Sequence, residues 1–178
     1  MAQKLIPAAD LSEQISTAGM EASGTGNMKF RANGAVTIGT RDGANVERLE
    51  QVGSDNMIIF GLTTEKVAEA RGRSEVPRAV IDKSPMLREA LEAIATGVFS
   101  PDDPDRYRDL INGLYQGDWF MVAADFDSYA ATQRAVDQVW RNSPDWYARA
   151  IHNVARVGWF SSDRTLRQSA KEICNVPV

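Results

Sequence analysis

The chain of 178 residues contains a single cysteine, Cys174, and a single histidine, His152. One cysteine cannot form a disulfide within the chain, and this pair does not provide a zinc ligand set, so we predict no metal site. A serine or cysteine nucleophile would have to use His152 as its base. The segment before it has the pattern of a structural helix, so we disfavour that chemistry. We interpret His152 as an ordinary helix-surface or packing residue.

A strong excess of one charge and long apolar runs are also missing. The 24 acidic and 20 basic side chains give a net charge of −4 and are interspersed along the chain. This balance does not point to nucleic acid or to an anionic membrane. No apolar run approaches the ~20 residues of a membrane span, and Met1-Ala2-Gln3-Lys4 does not begin a signal peptide. We therefore predict a cytoplasmic protein with neither nucleic-acid nor membrane partners.

The length and the apolar content of 43% are typical of one domain with one core. We distinguish a strand-and-helix part, 1–62, which would bind a cofactor, from a mainly helical part, 63–178. In the first part, the residue pattern predicts strands at 4–8, 35–40 and 57–60 and a turn or helix at 12–15. It also predicts a helix that carries Lys29 and ends at Asn33-Gly34, and a helix at 44–52. This alternation predicts an α/β fold with a parallel, Rossmann-like sheet flanked by helices.

The second part carries repeated helix signals. Ser84-Pro85 is typical of an N-cap followed by a first-turn proline, and Ser143-Pro144 and Ser162-Asp163 mark the beginnings of two further helices. Stripes of apolar and aromatic residues predict helices around 107–115 and 129–140, with these side chains in the core. We expect Cys174 to pack on the last helix.

The most distinctive segment is Glu21-Ala22-Ser23-Gly24-Thr25-Gly26-Asn27-Met28-Lys29-Phe30, a glycine-rich loop that leads into a short helix. The pattern places Lys29 in the first turn, where the helix amides repel an ammonium group and attract an anion. A phosphorylated aldehyde such as pyridoxal 5′-phosphate would explain this placement. Its phosphate group would bind the loop amides, and the Lys29 amine would condense with its carbonyl. Two glycines around a threonine are weak evidence alone, because such pairs more often form a tight turn.

Further segments, together with this one, resemble the glycogen (α-1,4-glucan) phosphorylases. They are Leu5 to Ser16, Gly34 to Thr40, Asp42 to Glu47, Ile59-Phe60-Gly61, Phe99-Ser100-Pro101, Ala124-Asp125-Phe126 and Phe160 to Thr165. The resemblance covers nearly the whole chain. It implies the C-terminal part of the cofactor-binding catalytic domain, within a two-lobed glycosyltransferase-type fold.

The resemblance also implies roles for individual residues. Lys29 matches the lysine that holds pyridoxal phosphate covalently, and Gly24, Thr25 and Gly26 match contacts to the cofactor phosphate. Glu21 matches the acid that binds glucosyl hydroxyl groups, with help from the backbone of Ser23 and Gly24. A carboxylate can accept hydrogen bonds from two hydroxyls, and loop amides can donate to them. Without the family, Glu21 is more simply interpreted as a solvated acid.

Three arginines, Arg31, Arg41 and Arg48, stand where the family pattern has large apolar residues. A buried guanidinium is costly unless it is paired, so we expect each one to point to water or to an acid. One interpretation is a truncated chain whose newly exposed faces carry changed residues. The other is natural variation at exposed positions.

By resemblance, the complete enzyme transfers a glucosyl unit from an α-1,4-glucan to phosphate and releases glucose 1-phosphate. The cofactor acts through its phosphate group and Lys29 anchors it, while other phosphorylase domains complete a cleft in a homodimer. We expect the isolated chain to be inactive, because the basic residues that bind the substrate phosphate precede this segment in the family. The alternatives are a non-catalytic folding or interaction fragment, and a nucleotide-sugar glycosyltransferase-like domain, against which the lysine spacing counts.

Overall fold

The computed structural model describes residues 1–72 and 77–176. In these ranges the elements follow the order α1 (Ala2–Ala8), β1 (Leu11–Gln14), α2 (Thr25–Ala32), β2 (Val36–Thr40), α3 (Ala44–Val52), β3 (Ile58–Phe60), α4 (Thr64–Gly72), α5 (Pro77–Lys83), α6 (Pro85–Ala95), α7 (Arg108–Gln116), α8 (Val122–Arg141), α9 (Ser143–Ala155) and α10 (Ser162–Glu172). A 3₁₀ helix, Val157–Phe160, lies between α9 and α10. None of these helices combines the length and the apolar character needed to cross a bilayer.

The three strands form one parallel sheet in the order β1-β2-β3. Leu11 of β1 lies beside Val36 of β2, and Ile38 of β2 lies beside Ile58 of β3. Parallel neighbours need crossover connections, and α2 and α3 provide them. The α/β class, with a parallel sheet flanked by helices and a helical C-terminal part, is confirmed.

The central strand β2 is buried along its whole length. On one side of the sheet, Val36 and Ile38 pack with Val136 of α8 and Trp146 of α9. Side chains alternate along a strand, so Thr37 is on the opposite side, where it contacts α3. The helices therefore cover both faces, and the loops that leave the carboxyl ends of β1 and β2 remain available for a site.

The helical part has its own core, formed by Ile81, Leu87, Leu91, Ile111 and Ala123. The Ser84 hydroxyl accepts a hydrogen bond from the Leu87 amide, and Pro85 is the first residue of α6, as the sequence predicts. The helices predicted at Ser143-Pro144 and Ser162-Asp163 are also confirmed.

Two predictions near the N-terminus are wrong. Residues 4–8 belong to the helix α1 rather than to a strand, and the first strand is β1, where the pattern predicts a turn or helix. The Asp10 carbonyl accepts a hydrogen bond from the Val36 amide at 2.9 Å, directly before β1 pairs with the buried β2. Residues 11–14 form a strand because they pair with a neighbouring strand, and local sequence does not reveal such pairing.

The prediction that Cys174 packs on the last helix is also wrong, because its side chain is exposed beyond the end of α10. None of the α10 residues is buried, so that helix has no covered apolar face against which a neighbour could pack. His152 is exposed on α9, in agreement with its interpretation as a helix-surface residue.

Candidate functional site

Two loops, 15–24 after β1 and 41–43 after β2, meet at the carboxyl edge of the sheet, where open parallel sheets bind ligands. Asp42 joins them. Its Oδ1 accepts hydrogen bonds from the amides of Gly19 and Gly43, each at 2.8 Å, and its Oδ2 accepts from Met20 at 3.2 Å and Glu21 at 2.8 Å. Asp42 is only 6% exposed. This carboxylate therefore fixes the first loop at the residue that carries the predicted sugar-binding side chain.

The Glu21 side chain turns back onto its own loop, where Oε1 accepts a hydrogen bond from the Gly24 amide at 2.7 Å. Gly24 is the N-cap of α2 and has a φ of 66°, a left-handed conformation that favours glycine. Of the three amides predicted to bind the cofactor phosphate, that of Gly24 is thus directed to Glu21. The amides of Thr25 and Gly26 lie at the start of α2, where N–H groups lack a carbonyl partner within the helix. A Cβ on Gly26 would meet nothing within 4 Å, so the space beside it is open.

Lys29 lies in the second turn of α2, and its prediction for the first turn is wrong, because the helix already begins at Thr25 after its Gly24 cap. The side chain is exposed and lies close to the C-terminal end of the helix, where a cation is electrostatically favoured. The helix dipole therefore does not make Lys29 unusual. Its predicted cofactor role depends on the family resemblance and on its position one turn after Thr25.

A cavity of about 340 Å³ opens between the two loops. Its lining residues are Glu21, Ala22, Ser23, Met28, Gly43, Ala44, Glu47 and Phe160. The volume lies at the lower end of the range of roughly 300–1,000 Å³ typical of small-molecule pockets. The structure thus brings Glu21 and Ser23 together at one cavity, whereas Thr25, Gly26 and Lys29 lie outside its lining.

Part of this wall comes from the C-terminal end of the chain. The Trp159 indole Nε1 donates a hydrogen bond to Glu47 Oε2 at 3.2 Å, and Phe160 lines the cavity. Arg164 lies over the Trp159 ring, with its Cζ 3.6 Å from the ring centroid, and its Nε donates to the Trp159 carbonyl. Sequence reasoning did not assign Glu47 or Phe160 to the site, and no local signal could, because more than a hundred residues separate them.

Gly43 is a further site residue that sequence reasoning missed, although a signal for it exists. An Asp-Gly pair shortly after a strand is typical of a tight turn. Gly43 has a φ of 50°, and a Cβ there would lie 3.0 Å from the Cγ and from the carbonyl oxygen of Glu21. Any side chain at this position would push the Glu21 loop away from the cavity.

The cavity is acidic. Its ionisable lining residues are Glu21 and Glu47, and among the described residues that form its wall there is no lysine or arginine. Two carboxylates at one small cavity favour hydroxyl groups as ligands and disfavour a phosphate group.

The arginines require a correction. Arg31 and Arg48 are each 0% exposed, so the expectation that they point to water or to an acid is wrong, and so are both interpretations that placed them on exposed faces. They lie on the inner sides of α2 and α3, which the rest of this chain covers. Arg41 is exposed and agrees with the expectation.

The buried arginines contact neutral oxygens. Arg48 Nη2 donates to Thr37 Oγ1 at 2.6 Å, and its Nη1 donates to the side-chain oxygens of Asn27 and Asn45. Arg31 Nε donates to the Asn153 carbonyl at 2.8 Å. Burial lowers the pKa of Arg31 to about 10 and that of Arg48 to about 9, with a smaller contribution to the latter from the Arg31 charge. Both side chains are therefore charged at neutral pH.

Comparison with known proteins adds the family context. A family model described as carbohydrate phosphorylase matches residues 1–176. The chain is 51% identical over 176 residues to the brain form of glycogen phosphorylase from Mus musculus, and 49% identical over 176 residues to the muscle form from Homo sapiens. Each alignment covers 99% of this chain and 21% of the relative. The chain thus spans about a fifth of the length of the curated relatives it matches.

Proposed function

The chain belongs to the carbohydrate phosphorylase family, and from this premise we propose that it is the cofactor-binding segment of an α-glucan phosphorylase. The complete enzyme would transfer a glucosyl unit from the end of an α-1,4-glucan to phosphate and release glucose 1-phosphate. The observation that carries the proposal is the arrangement at the carboxyl edge of the sheet. There Asp42 fixes the loop that presents Glu21 to the cavity and then leads into α2 with Lys29.

Pyridoxal phosphate is the cofactor we propose, with Lys29 as its covalent anchor. Among the described residues, none forms a hydrogen bond or ion pair with the exposed Lys29 amine, so it is available to a carbonyl compound. The amides of Thr25 and Gly26 would hold the phosphate group at the open start of α2. When bound, the cofactor would supply a phosphate group that exchanges protons with the substrate phosphate. The residues present fit this group.

Glu21, with the backbone of Ser23 and Gly24, would bind the hydroxyl groups of the glucosyl unit. The bond from the Gly24 amide holds the Glu21 carboxylate through Oε1 alone. A carboxylate has about four acceptor positions, so the Glu21 carboxylate can accept sugar hydroxyls while it keeps this bond. The acidic cavity wall, to which Glu47 also contributes, suits a neutral ligand rich in hydroxyl groups.

The same acidity supports the proposal that the isolated chain has no phosphorolysis activity. Phosphate needs a cationic clamp, and the cavity wall has two carboxylates instead. Arg31 cannot reach a substrate, because it is completely buried. The clamp would therefore come from other parts of a complete phosphorylase. A homodimeric, cytoplasmic complete enzyme stays a prediction of the resemblance.

Lysine labelling tests the cofactor assignment directly. The chain is incubated with pyridoxal phosphate, the linkage is reduced with borohydride, and the modified lysine is identified by peptide mapping. We expect the label on Lys29, its loss in Lys29→Ala, and its retention in Lys66→Ala, a control at another exposed helical lysine. A label spread evenly over Lys4, Lys66, Lys83 and Lys171 would contradict the assignment.

Lysine labelling and ligand binding separate the remaining alternatives, because the isolated chain is expected to release no glucose 1-phosphate under any of them. The acidic cavity favours a non-catalytic fragment as the second candidate for the isolated chain. That candidate predicts no product and no selective label. A nucleotide-sugar transferase would bind a sugar diphosphate and would show no labelling of Lys29. The two carboxylates of the cavity disfavour that ligand.

A further inference from the structure

A second cavity, of about 470 Å³, opens between α4, α5 and the loop 117–121 that leads into α8. Its volume lies within the range of roughly 300–1,000 Å³ typical of small-molecule sites. None of the described residues that line it also lines the cavity at Glu21. Most of its lining residues are apolar, and they include Leu62, Ala70, Val80, Trp119, Met121 and Ala124.

The wall of this cavity also supports the loop that carries Glu21. Met121 is buried in a small core together with Ala18, a residue of that loop. Further lining residues of the cavity pack against the same core, namely Leu62, Ala70 and Ala124. A ligand in the cavity would therefore pack directly against residues that hold the loop 15–24 in place.

Four ionisable side chains line the cavity, and three of them already have partners. The Asp118 carboxylate accepts hydrogen bonds from two amides in the first turn of α8, at 3.0–3.1 Å. Arg71 Nη2 donates to the Trp119 carbonyl at 3.0 Å, and its Cζ lies 4.4 Å from the centroid of the Trp119 ring. Glu69 also has a partner. These three charges are therefore engaged within the chain.

Lys66 is the fourth ionisable residue of the lining. Its side chain is exposed, and among the described residues none forms a hydrogen bond or ion pair with its amine. The cavity thus combines apolar walls with an available cation at its rim. An aliphatic chain is stabilised when apolar walls remove it from water, and a carboxylate forms a charge-assisted hydrogen bond with an ammonium group. An anion with an apolar chain matches both features.

We propose that this cavity binds a medium-chain aliphatic carboxylate, with its chain against Leu62, Val80 and Met121 and its carboxylate at Lys66. An aliphatic chain fits better than an aromatic ring, because Arg71 already lies over the Trp119 ring and the other apolar walls are aliphatic. The proposal does not depend on cofactor or glucan binding, because it uses other residues.

Isothermal titration calorimetry with octanoate, octanol and octylamine tests the charged anchor, because these ligands differ in the charge of their head groups. Octanoate should bind the unmodified chain most tightly, and octylamine, a cation at neutral pH, most weakly. In Lys66→Gln the affinity for octanoate should fall to that for octanol. The matched control is Lys83→Gln, at an exposed helical lysine outside the lining, which should keep the affinity for octanoate. Hexanoate should bind more weakly than octanoate by about two- to fourfold for each missing methylene.

A cavity-filling substitution tests the location of the site. Ala124→Phe places a ring in the cavity and should abolish the binding of both octanoate and octanol, whereas Ala131→Phe, at an exposed position on the same helix, should preserve it. Lys66→Gln changes only an exposed side chain, so the test of the anchor stands even if Ala124→Phe does not fold. Equal affinity for octanoate and octylamine, octanoate binding that Lys66→Gln leaves unchanged, or no octanoate binding to the unmodified chain would overturn the proposal.

Discussion

Replacing Arg48 by methionine is expected to stabilise the fold, because the guanidinium is charged in a fully buried position. Burial lowers its pKa from the ordinary value of an arginine to about 9 in the folded chain. At 1.36 kcal/mol for each pKa unit, this difference corresponds to a folded-state penalty on the order of 5 kcal/mol at neutral pH. Methionine removes that penalty and fills much of the same space with an apolar side chain.

The opposing term is the loss of hydrogen bonds. Asn45 Oδ1 keeps the bond from Asn27 Nδ2 after the substitution, whereas the side-chain oxygens of Asn27 and Thr37 lose their donor. Each of these two unsatisfied neutral acceptors costs about 1–3 kcal/mol, so together they cost about 2–6 kcal/mol. The desolvation penalty exceeds this cost when each acceptor loses no more than about 2 kcal/mol, and the net expectation is then a gain of up to about 3 kcal/mol.

The assay is thermal unfolding at pH 7. A stabilisation of this size raises the midpoint by roughly 2–4 °C for each kcal/mol in a chain of this length. Arg41→Met removes an exposed arginine and should change stability by at most about 0.5 kcal/mol. A lower midpoint for Arg48→Met would refute the reasoning, since it would show that Arg48 contributes more through its hydrogen bonds than its desolvation costs.

Four further outcomes are expected. The pKa of Arg48 is lower in the folded chain than in the unfolded chain, so the free-energy cost of burying its charge is complete below about pH 9 and declines above that pH. The stability gain of Arg48→Met should therefore be smaller at pH 10 than at pH 7. Lys29→Ala should abolish borohydride-fixed labelling and leave the unfolding midpoint nearly unchanged, since the side chain is exposed. Asp42→Ala leaves four backbone amides without their acceptor and should lower both the midpoint and the labelling of Lys29, whereas the exposed Asp103→Ala should affect neither. The purified chain should release no glucose 1-phosphate from maltodextrin and phosphate even with added pyridoxal phosphate; turnover within about tenfold of a full-length relative would contradict the acidic-cavity argument.

Elements whose signals are local follow from the amino-acid sequence alone. Asn33-Gly34 marks the end of α2, Ser84-Pro85 the beginning of α6, and the apolar run before Thr40 the strand β2, each as the structure has them. The family also follows from the sequence, because each of its motifs is a short segment of consecutive residues. The roles of Lys29, Thr25, Gly26 and Gly24 stay predictions of that resemblance.

Features that depend on residues far apart in the chain follow from the packing of the folded protein. Pairing with the buried β2 makes 11–14 a strand, although the local pattern predicts a turn or helix. The cavity wall joins Glu21 with Phe160. The burial of Arg31 follows in the same way, because the carbonyl that accepts its hydrogen bond, that of Asn153, is 122 residues away. A sequence pattern reports which side of a helix is apolar, but what covers that side depends on packing between distant segments.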